Sequence, residues 1–137
     1  MKKFTLFLLL FTLGLASCKN EEVENPSIIA SLSKAEADKY LAEKMAEIQT
    51  ISTSVTCTNP AQWSITPIGA KACGGPTGYV AYSSTLDKET FLKKVAFYTA
   101  LQLDYNKKFN IFSDCSVVLS PSKVECVDGK AVLVKSY

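Results

Sequence analysis

Cys57, Cys73, Cys115 and Cys126 constrain this chain more than any other feature, because they fall within a block of roughly 105 residues, enough for only one modest core. Whether they are thiols or bridges depends on where the chain goes. Lys2 and Lys3 make a basic start, Phe4 to Leu15 is apolar apart from Thr5, Thr12 and Gly14, and small residues precede Cys18. That is the pattern of a secretory leader. Its apolar run covers only about 13 residues before Lys19, Glu21, Glu22 and Glu24, short of the roughly 20 that a membrane-spanning helix requires. Export leads to an oxidising compartment, where an even set of cysteines reads as two disulfides. Four cysteines allow three pairings, and the favoured one joins Cys57 to Cys73 and Cys115 to Cys126, since each pair flanks a strand-turn-strand pattern. Loops of that length are worth roughly 3 kcal/mol each in the chain-entropy view, a large share of the roughly 5 to 15 kcal/mol that holds a small domain together.

Leu15-Ala16-Ser17-Cys18 resembles the lipobox of bacterial lipoproteins. The resemblance implies a diacylglyceryl thioether on Cys18, cleavage before it and acylation of the new amine, so that several acyl chains form a lasting tether. The expected membrane partner is reached through lipidated Cys18. Lys19-Asn20-Glu21-Glu22 resembles the lysine-then-acidic signal that sends lipoproteins of Bacteroidota-type bacteria to the outer face of the outer membrane, with Asn20 departing from the usual acidic residue. The expected organisation is a signal peptide over 1–17, a lipidated flexible tether over 18–30 and a single disulfide-containing domain over 31–137.

Removing the leader takes two of the 15 basic residues, leaving 13 lysines against 13 acidic residues. A near-neutral chain without a clustered basic excess is a poor partner for nucleic acid. It also contains no arginine, the residue whose planar fork grips phosphate or guanine. There are no internal repeats or low-complexity tracts, and no room for a second domain.

Ser33-Lys34-Ala35-Glu36 has the spacing of a capping box, and Ala37, Leu41, Met45 and Ile48 recur at helical spacing, predicting an amphipathic helix to about Thr50. Trp63, Ile65 and Pro67 alternate with polar residues, and Tyr79-Val80-Ala81-Tyr82 is a second β-like run beyond the glycine-rich stretch. Asp87 is a good N-cap for a long second helix from Lys88, whose core stripe reads Phe91, Val95, Tyr98, Leu101, Tyr105 and Phe109. Cys115 to Leu119, Val124 to Val127 and Ala131 to Val134 read as strands, the last two joined by Asp128-Gly129, a strong hairpin signal. The order helix, two strands, helix, three strands predicts an α+β fold, two helices on one face of a small antiparallel sheet.

The absence of histidine removes the usual general base and the commonest transition-metal ligand. No C-x-x-C spacing occurs, so neither thioredoxin-type redox chemistry nor a zinc knuckle is supported, and no metal or cofactor is expected. Ser31-Leu32-Ser33-Lys34 and Ser120-Pro121-Ser122-Lys123 both satisfy S-x-x-K, without the S-D-N or K-T-G partners that the penicillin-binding enzymes add. Asp87, Glu89, Asp104, Asp114 and Glu125 are the carboxylates from which an acid/base pair could be drawn. The stretch that stands out is Cys73-Gly74-Gly75-Pro76, with Tyr79 beyond it: two glycines permit backbone shapes closed to other residues, and a disulfide would hold them. A tight turn is its plain reading. A binding loop comprising Gly74, Gly75, Pro76 and Tyr79 is the functional one. Tyr79 and Tyr82 could form a contact patch there, or fill a small core with Trp63.

From Cys57 to Tyr137, the residues Cys57 and Trp63, the run Ile68-Gly69-Ala70-Lys71-Ala72-Cys73-Gly74-Gly75-Pro76, then Tyr79 and Tyr82, Ser113-Asp114-Cys115 and Val124-Glu125-Cys126 resemble a family of small uncharacterised lipoproteins of Bacteroidota-type bacteria. The resemblance implies an anchored domain and assigns no catalytic residue. The expected function is that of a non-enzymatic, lipid-anchored envelope protein presenting a rigid surface to a protein partner. An inhibitor of an envelope or secreted hydrolase, such as a lysozyme or protease, acting through the Gly74 to Tyr79 loop, is the alternative, with an enzyme third.

Overall fold

Capping decides where the first helix starts. In the computed structural model, which describes residues 25–135, α1 spans Lys34–Ser52, the Glu36 amide donating to Ser33 Oγ while the Ser33 amide donates to Glu36 Oε2 at 2.8 Å. Cys18, the leader and the acidic stretch after it lie outside the described residues. Ala37, Leu41 and Ile48 are buried along one face, as the periodicity predicts. The helix runs past Thr50 because its last turn finds a tertiary partner: the buried Ser52 hydroxyl donates to the Ala81 carbonyl at 2.6 Å.

Strands β1 (Trp63–Ile68) and β2 (Gly78–Ser83) form an antiparallel ladder from Trp63↔Ser83 to Ile68↔Gly78. Helix α2 (Lys88–Lys108) follows, its start capped by Asp87 and its last turn carrying Lys107 and Lys108, as the helix dipole favours. Strands β3 (Lys123–Val127) and β4 (Lys130–Val134) pair through a two-residue turn in which Asp128 and Gly129 have φ of 50° and 74°, the left-handed pair of a type I′ hairpin.

The chain is thus α+β, but the single sheet is corrected to two separate two-stranded ladders, β1–β2 and β3–β4. Helix α1 packs on β2, α2 packs on β1, and the second hairpin lies against the first without joining its ladder. The third expected strand, Cys115 to Leu119, does not form. Cys115 has φ of 53°, which breaks an extended run, and Val117 and Leu119 are exposed where a half-buried strand would alternate. Backbone carbonyls there meet side chains instead, the Ser116 oxygen accepting from Lys71 at 2.7 Å.

The pairing of cysteines is also corrected. The bridges are Cys57–Cys126 and Cys73–Cys115, with sequence separations of 69 and 42. The Cys57 amide donates to the Gly129 carbonyl at 2.8 Å, docking the stretch before β1 along the β3–β4 hairpin. Cys73, in the β1–β2 connection, meets the stretch after α2. These longer closures are worth about 4 kcal/mol each in the chain-entropy view.

The folded body also begins earlier than residue 31. A 3-10 turn over Pro26–Ser31 packs on α2, burying Ile29 completely. Lys108 Nζ donates to the carbonyls of Ile29 and Ala30, at 2.9 Å each, and to that of Leu32. The core joins Ile29 to Leu41 and Ile48 of α1, Tyr82 of β2 and Phe91, Val95, Tyr98 and Leu101 of α2.

The two helices run antiparallel, since Tyr105 donates to Asp38 at one end while Lys94 and Glu47 pair at 3.4 Å toward the other. The body therefore has two poles. One gathers the chain entry, the start of α1, the end of α2 and the β1–β2 connection; the other gathers the end of α1, Trp63 and the start of α2. Three polar side chains of α2 hold the first pole together: Thr99 Oγ1 accepts from the Gly69 amide at 3.1 Å, Gln102 Oε1 from the Ala70 amide at 2.8 Å, and Asn106 Nδ2 donates to the Ala70 carbonyl at 2.7 Å. At Gly69, with φ of 75°, an added Cβ would overlap Thr77 Oγ1 and Gln102 Oε1. Gly69→Ala should therefore destabilise by about 2 kcal/mol or more. Gly78→Ala, where nothing lies within 4 Å, should stay within about 0.5 kcal/mol in urea denaturation.

Candidate functional site

The glycine-rich connection is an ordered projection. Gly74 and Gly75 take φ of 92° and 81°, and no atom lies within 4 Å of where their Cβ would be. The Lys71 amide donates to the Gly75 carbonyl at 2.9 Å and the Gly74 amide to the Lys71 carbonyl at 3.0 Å, closing a tight turn at the tip. Pro76 and Tyr79 are half-buried at its return. Tyr79 Oη lies 3.5 Å from the Val118 carbonyl, so this ring leans on the segment after α2. Tyr82 belongs to the core instead, 7% exposed with its ring centroid 5.2 Å from that of Phe91. The structure therefore brings Gly74, Gly75, Pro76 and Tyr79 into one loop and takes Tyr82 out of any contact patch.

Two ties fasten this loop to residues 111–121. One is Cys73–Cys115, both of whose residues are exposed; the other is Lys71, whose Nζ donates to Asp114 Oδ1 at 2.7 Å and to Ser116 Oγ at 3.0 Å. Lys71, then the Ser116 hydroxyl and amide, hold the Asp114 carboxyl down at about 2, against an ordinary 3.8. Phe112 is 94% exposed beside this tie, and with Leu103, Lys107 and Ile111 it lines an open groove of about 600 Å³ between the loop and the end of α2.

A second groove, of about 430 Å³, lies at the opposite pole. Val55, Trp63, Ala131 and Val132 supply its apolar walls, and Thr53 and Lys130 its polar ones. Trp63, the only tryptophan of the chain, is half-buried there. The Cys57–Cys126 bridge holds the β3–β4 hairpin that forms one side. Sequence reasoning missed this groove, because its walls come from the end of α1, the start of β1 and a hairpin nearly 70 residues on. A single tryptophan in a β-like run was the one available signal. Lys71 and the Thr99, Gln102, Asn106 row of α2 were missed too, although polar residues at helical spacing flanking an apolar stripe are a visible sign.

Four of the five carboxylates singled out for acid/base work are engaged locally, and the fifth, Asp104, lines the groove at the end of α2 apart from the other four. Asp87 caps α2 and is lowered chiefly by the Thr90 hydroxyl and amide, Glu89 pairs with Lys93 at 2.7 Å, Asp114 with Lys71, and Glu125 with Lys123 at 2.7 Å. Glu36 and Asp38 are lowered as well, by hydrogen bonds from Ser33 and Tyr105 respectively. A general acid needs its carboxyl raised toward neutrality, and every resolved carboxyl shift among the described residues runs the other way. In both S-x-x-K stretches the lysine faces a carboxylate, Lys34 with Asp38 at 3.0 Å and Lys123 with Glu125. Among the described residues no group of three or more His, Cys, Asp or Glu is placed to hold a metal, and no helix is long and apolar enough to cross a membrane.

Compared with protein-family models, with curated proteins and with solved structures, the chain matches none.

The two bridges should differ in lability. Cys57 is 3% exposed, whereas Cys73 and Cys115 both face solvent, and access governs thiol–disulfide exchange. Limited treatment with a dithiol, followed by alkylation and peptide mass analysis, should label Cys73 and Cys115 before Cys57 and Cys126. The Lys71–Asp114 tie should also respond to acid. Because the folded carboxyl lies below its ordinary 3.8, the tie contributes fully above about pH 4 and is lost as pH falls through about 2. NMR titration should place Asp114 in that window and Lys71→Ala should return it toward the ordinary value.

Proposed function

We propose that this chain is a non-enzymatic, lipid-anchored protein of the bacterial outer membrane, whose disulfide-stapled domain presents a rigid binding surface to a protein partner. The anchor reading rests on Leu15 to Cys18 and the Bacteroidota-type lipoprotein resemblance on the cysteine, tryptophan and glycine pattern. The observation that carries the binding reading is the Trp63 groove. It is preformed and apolar with a few polar groups at its rim, the character of recognition sites, and it lies at the pole away from the chain entry. The Cys57–Cys126 bridge beside it holds the hairpin wall in place, which lowers the ordering cost of binding.

Trp63 gives this reading a direct probe. Envelope proteins that the domain captures in a saturable manner should shift its fluorescence, and Val132→Lys, at a half-exposed wall position, should weaken capture about tenfold or more while stability stays within about 0.5 kcal/mol. Unchanged capture by Val132→Lys would remove the groove from the reading. Intact mass of the mature chain tests the anchor separately, the expected species beginning at Cys18 and carrying acyl chains.

The inhibitor reading is favoured by a different observation, the open, hydrogen-bonded tip at Gly74 and Gly75, which projects as a cleft-inserting loop would. Pro76→Ala and Tyr79→Ala should then relieve inhibition of a lysozyme or protease about tenfold or more. Inhibition assays in which both variants match the parent chain would end that reading.

A further inference from the structure

The chain's entry and the most exposed aromatic side chain among the described residues share one end of α2. Lys107 stands between them: on one side it lines the groove with Leu103 and Phe112, on the other a shallower hollow with Ser27 and Ala30 of the entry turn. Phe112 is 94% exposed and Leu103 52%, while Ile28, in the entry turn, is 39% exposed. Lys107 forms no ion pair among the described residues; Asp104 lies beside it in both hollows, and Lys108 is committed to the entry turn's carbonyls.

Covalent geometry limits how far this pole can stand from an anchor. From Cys18 to Asn25, where the described residues begin, the chain reaches at most about 25 Å when fully extended. Helix α2 alone, with 21 residues, is about 30 Å long. A tether shorter than the body excludes an inverted pose with the Trp63 pole end-on against the bilayer and biases the entry pole toward it. The exposed side chains at the entry pole suit that neighbour, since Phe and Leu on a surface with a lysine beside them bury at the boundary of headgroups and acyl chains, and lysine stems extend there to reach phosphates.

We propose that the end of α2 and the residues just after it form a membrane-seating face, with Phe112 and Leu103 entering the bilayer interface and Lys107 among the phospholipid headgroups. The inference rests on the lipid-anchor reading and adds to it an orientation, in which the Trp63 groove faces outward and the Gly74–Gly75 tip stays on the membrane side.

The test uses the full acylated chain in vesicles of phosphatidylethanolamine and phosphatidylglycerol, with and without lipids brominated near the headgroup. The native chain reports from Trp63; a Trp63→Phe, Phe112→Trp chain reports from the seating face, and Trp63→Phe, Leu103→Trp provides a second probe should the first fail to fold. Emission from position 112 or 103 should be blue-shifted in vesicles and quenched by brominated lipid at least threefold more strongly than emission from Trp63. Equal quenching at the two poles, in a chain whose intact mass shows acylation, overturns the seating face and leaves the anchor standing. Shielding at position 112 without bromine quenching, accompanied by cross-linking between copies, overturns it in favour of a second copy as the occupant. A mass without acyl groups removes the anchor and the seating face together.

Discussion

The grip of α2 on the backbone of Gly69 and Ala70 is the contact on which the rest of the arrangement depends. Thr99, Gln102 and Asn106 meet groups that would otherwise lie unpaired where β1 leaves its ladder, and an unpaired buried amide or carbonyl is costly. The grip works only because residue 69 is glycine, at a backbone angle and in a space that exclude a side chain. It sets the direction in which the β1–β2 connection departs, and so brings Cys73 to Cys115 and Lys71 to Asp114. Helix α2 thereby serves two faces at once: Phe91, Val95, Tyr98 and Leu101 fill the core, and a polar row organises the entry pole.

The ionisable groups tell a consistent story about chemistry. Glu36 and Asp87 cap helices, Asp38 takes a hydrogen bond from Tyr105, and Asp114 anchors a loop, and all four are held below the ordinary carboxyl range by those bonds. Such carboxylates are committed as ions to structure. Tyr98 is the one described phenol with a resolved shift, raised by burial in the core, and it too is spent on packing. The groups that remain for recognition are apolar surfaces with a few cations: Trp63 and Val132 with Lys130 at one pole, Phe112 and Leu103 with Lys107 at the other.

Rigidity and polarity connect the fold to the proposed role. Each pole has its own bridge, Cys57–Cys126 behind the Trp63 groove and Cys73–Cys115 behind the projecting loop. A domain of this size has little core to spare for holding surface loops still, and covalent ties supply what packing cannot. With the entry turn fixed to Lys108 and Ile29 buried beneath it, the chain leaves the body at a defined place, so the two poles are distinct with respect to any anchor.

What the sequence by itself determined was everything carried by neighbours along the chain. Ser33 with Glu36, Asp87 before Lys88, the apolar stripe of α2 and Asp128-Gly129 specify their elements within a few residues, because caps, helical periodicity and left-handed turns are local physics. The α+β class was legible for the same reason, and the presence of two bridges from an even cysteine count behind an export leader. Tertiary structure alone decided which cysteines meet, that Cys115 to Leu119 would not pair as a strand, that two ladders rather than one sheet would form, and that Ile29 belongs to the core. Each of those depends on a partner 40 or more residues away, Ser113-Asp114-Cys115 on Lys71 and Cys73, Cys57 on Cys126, Ile29 on Lys108. Side-chain contacts over that distance are fixed by how α2 packs, and neither propensity nor spacing carries that information.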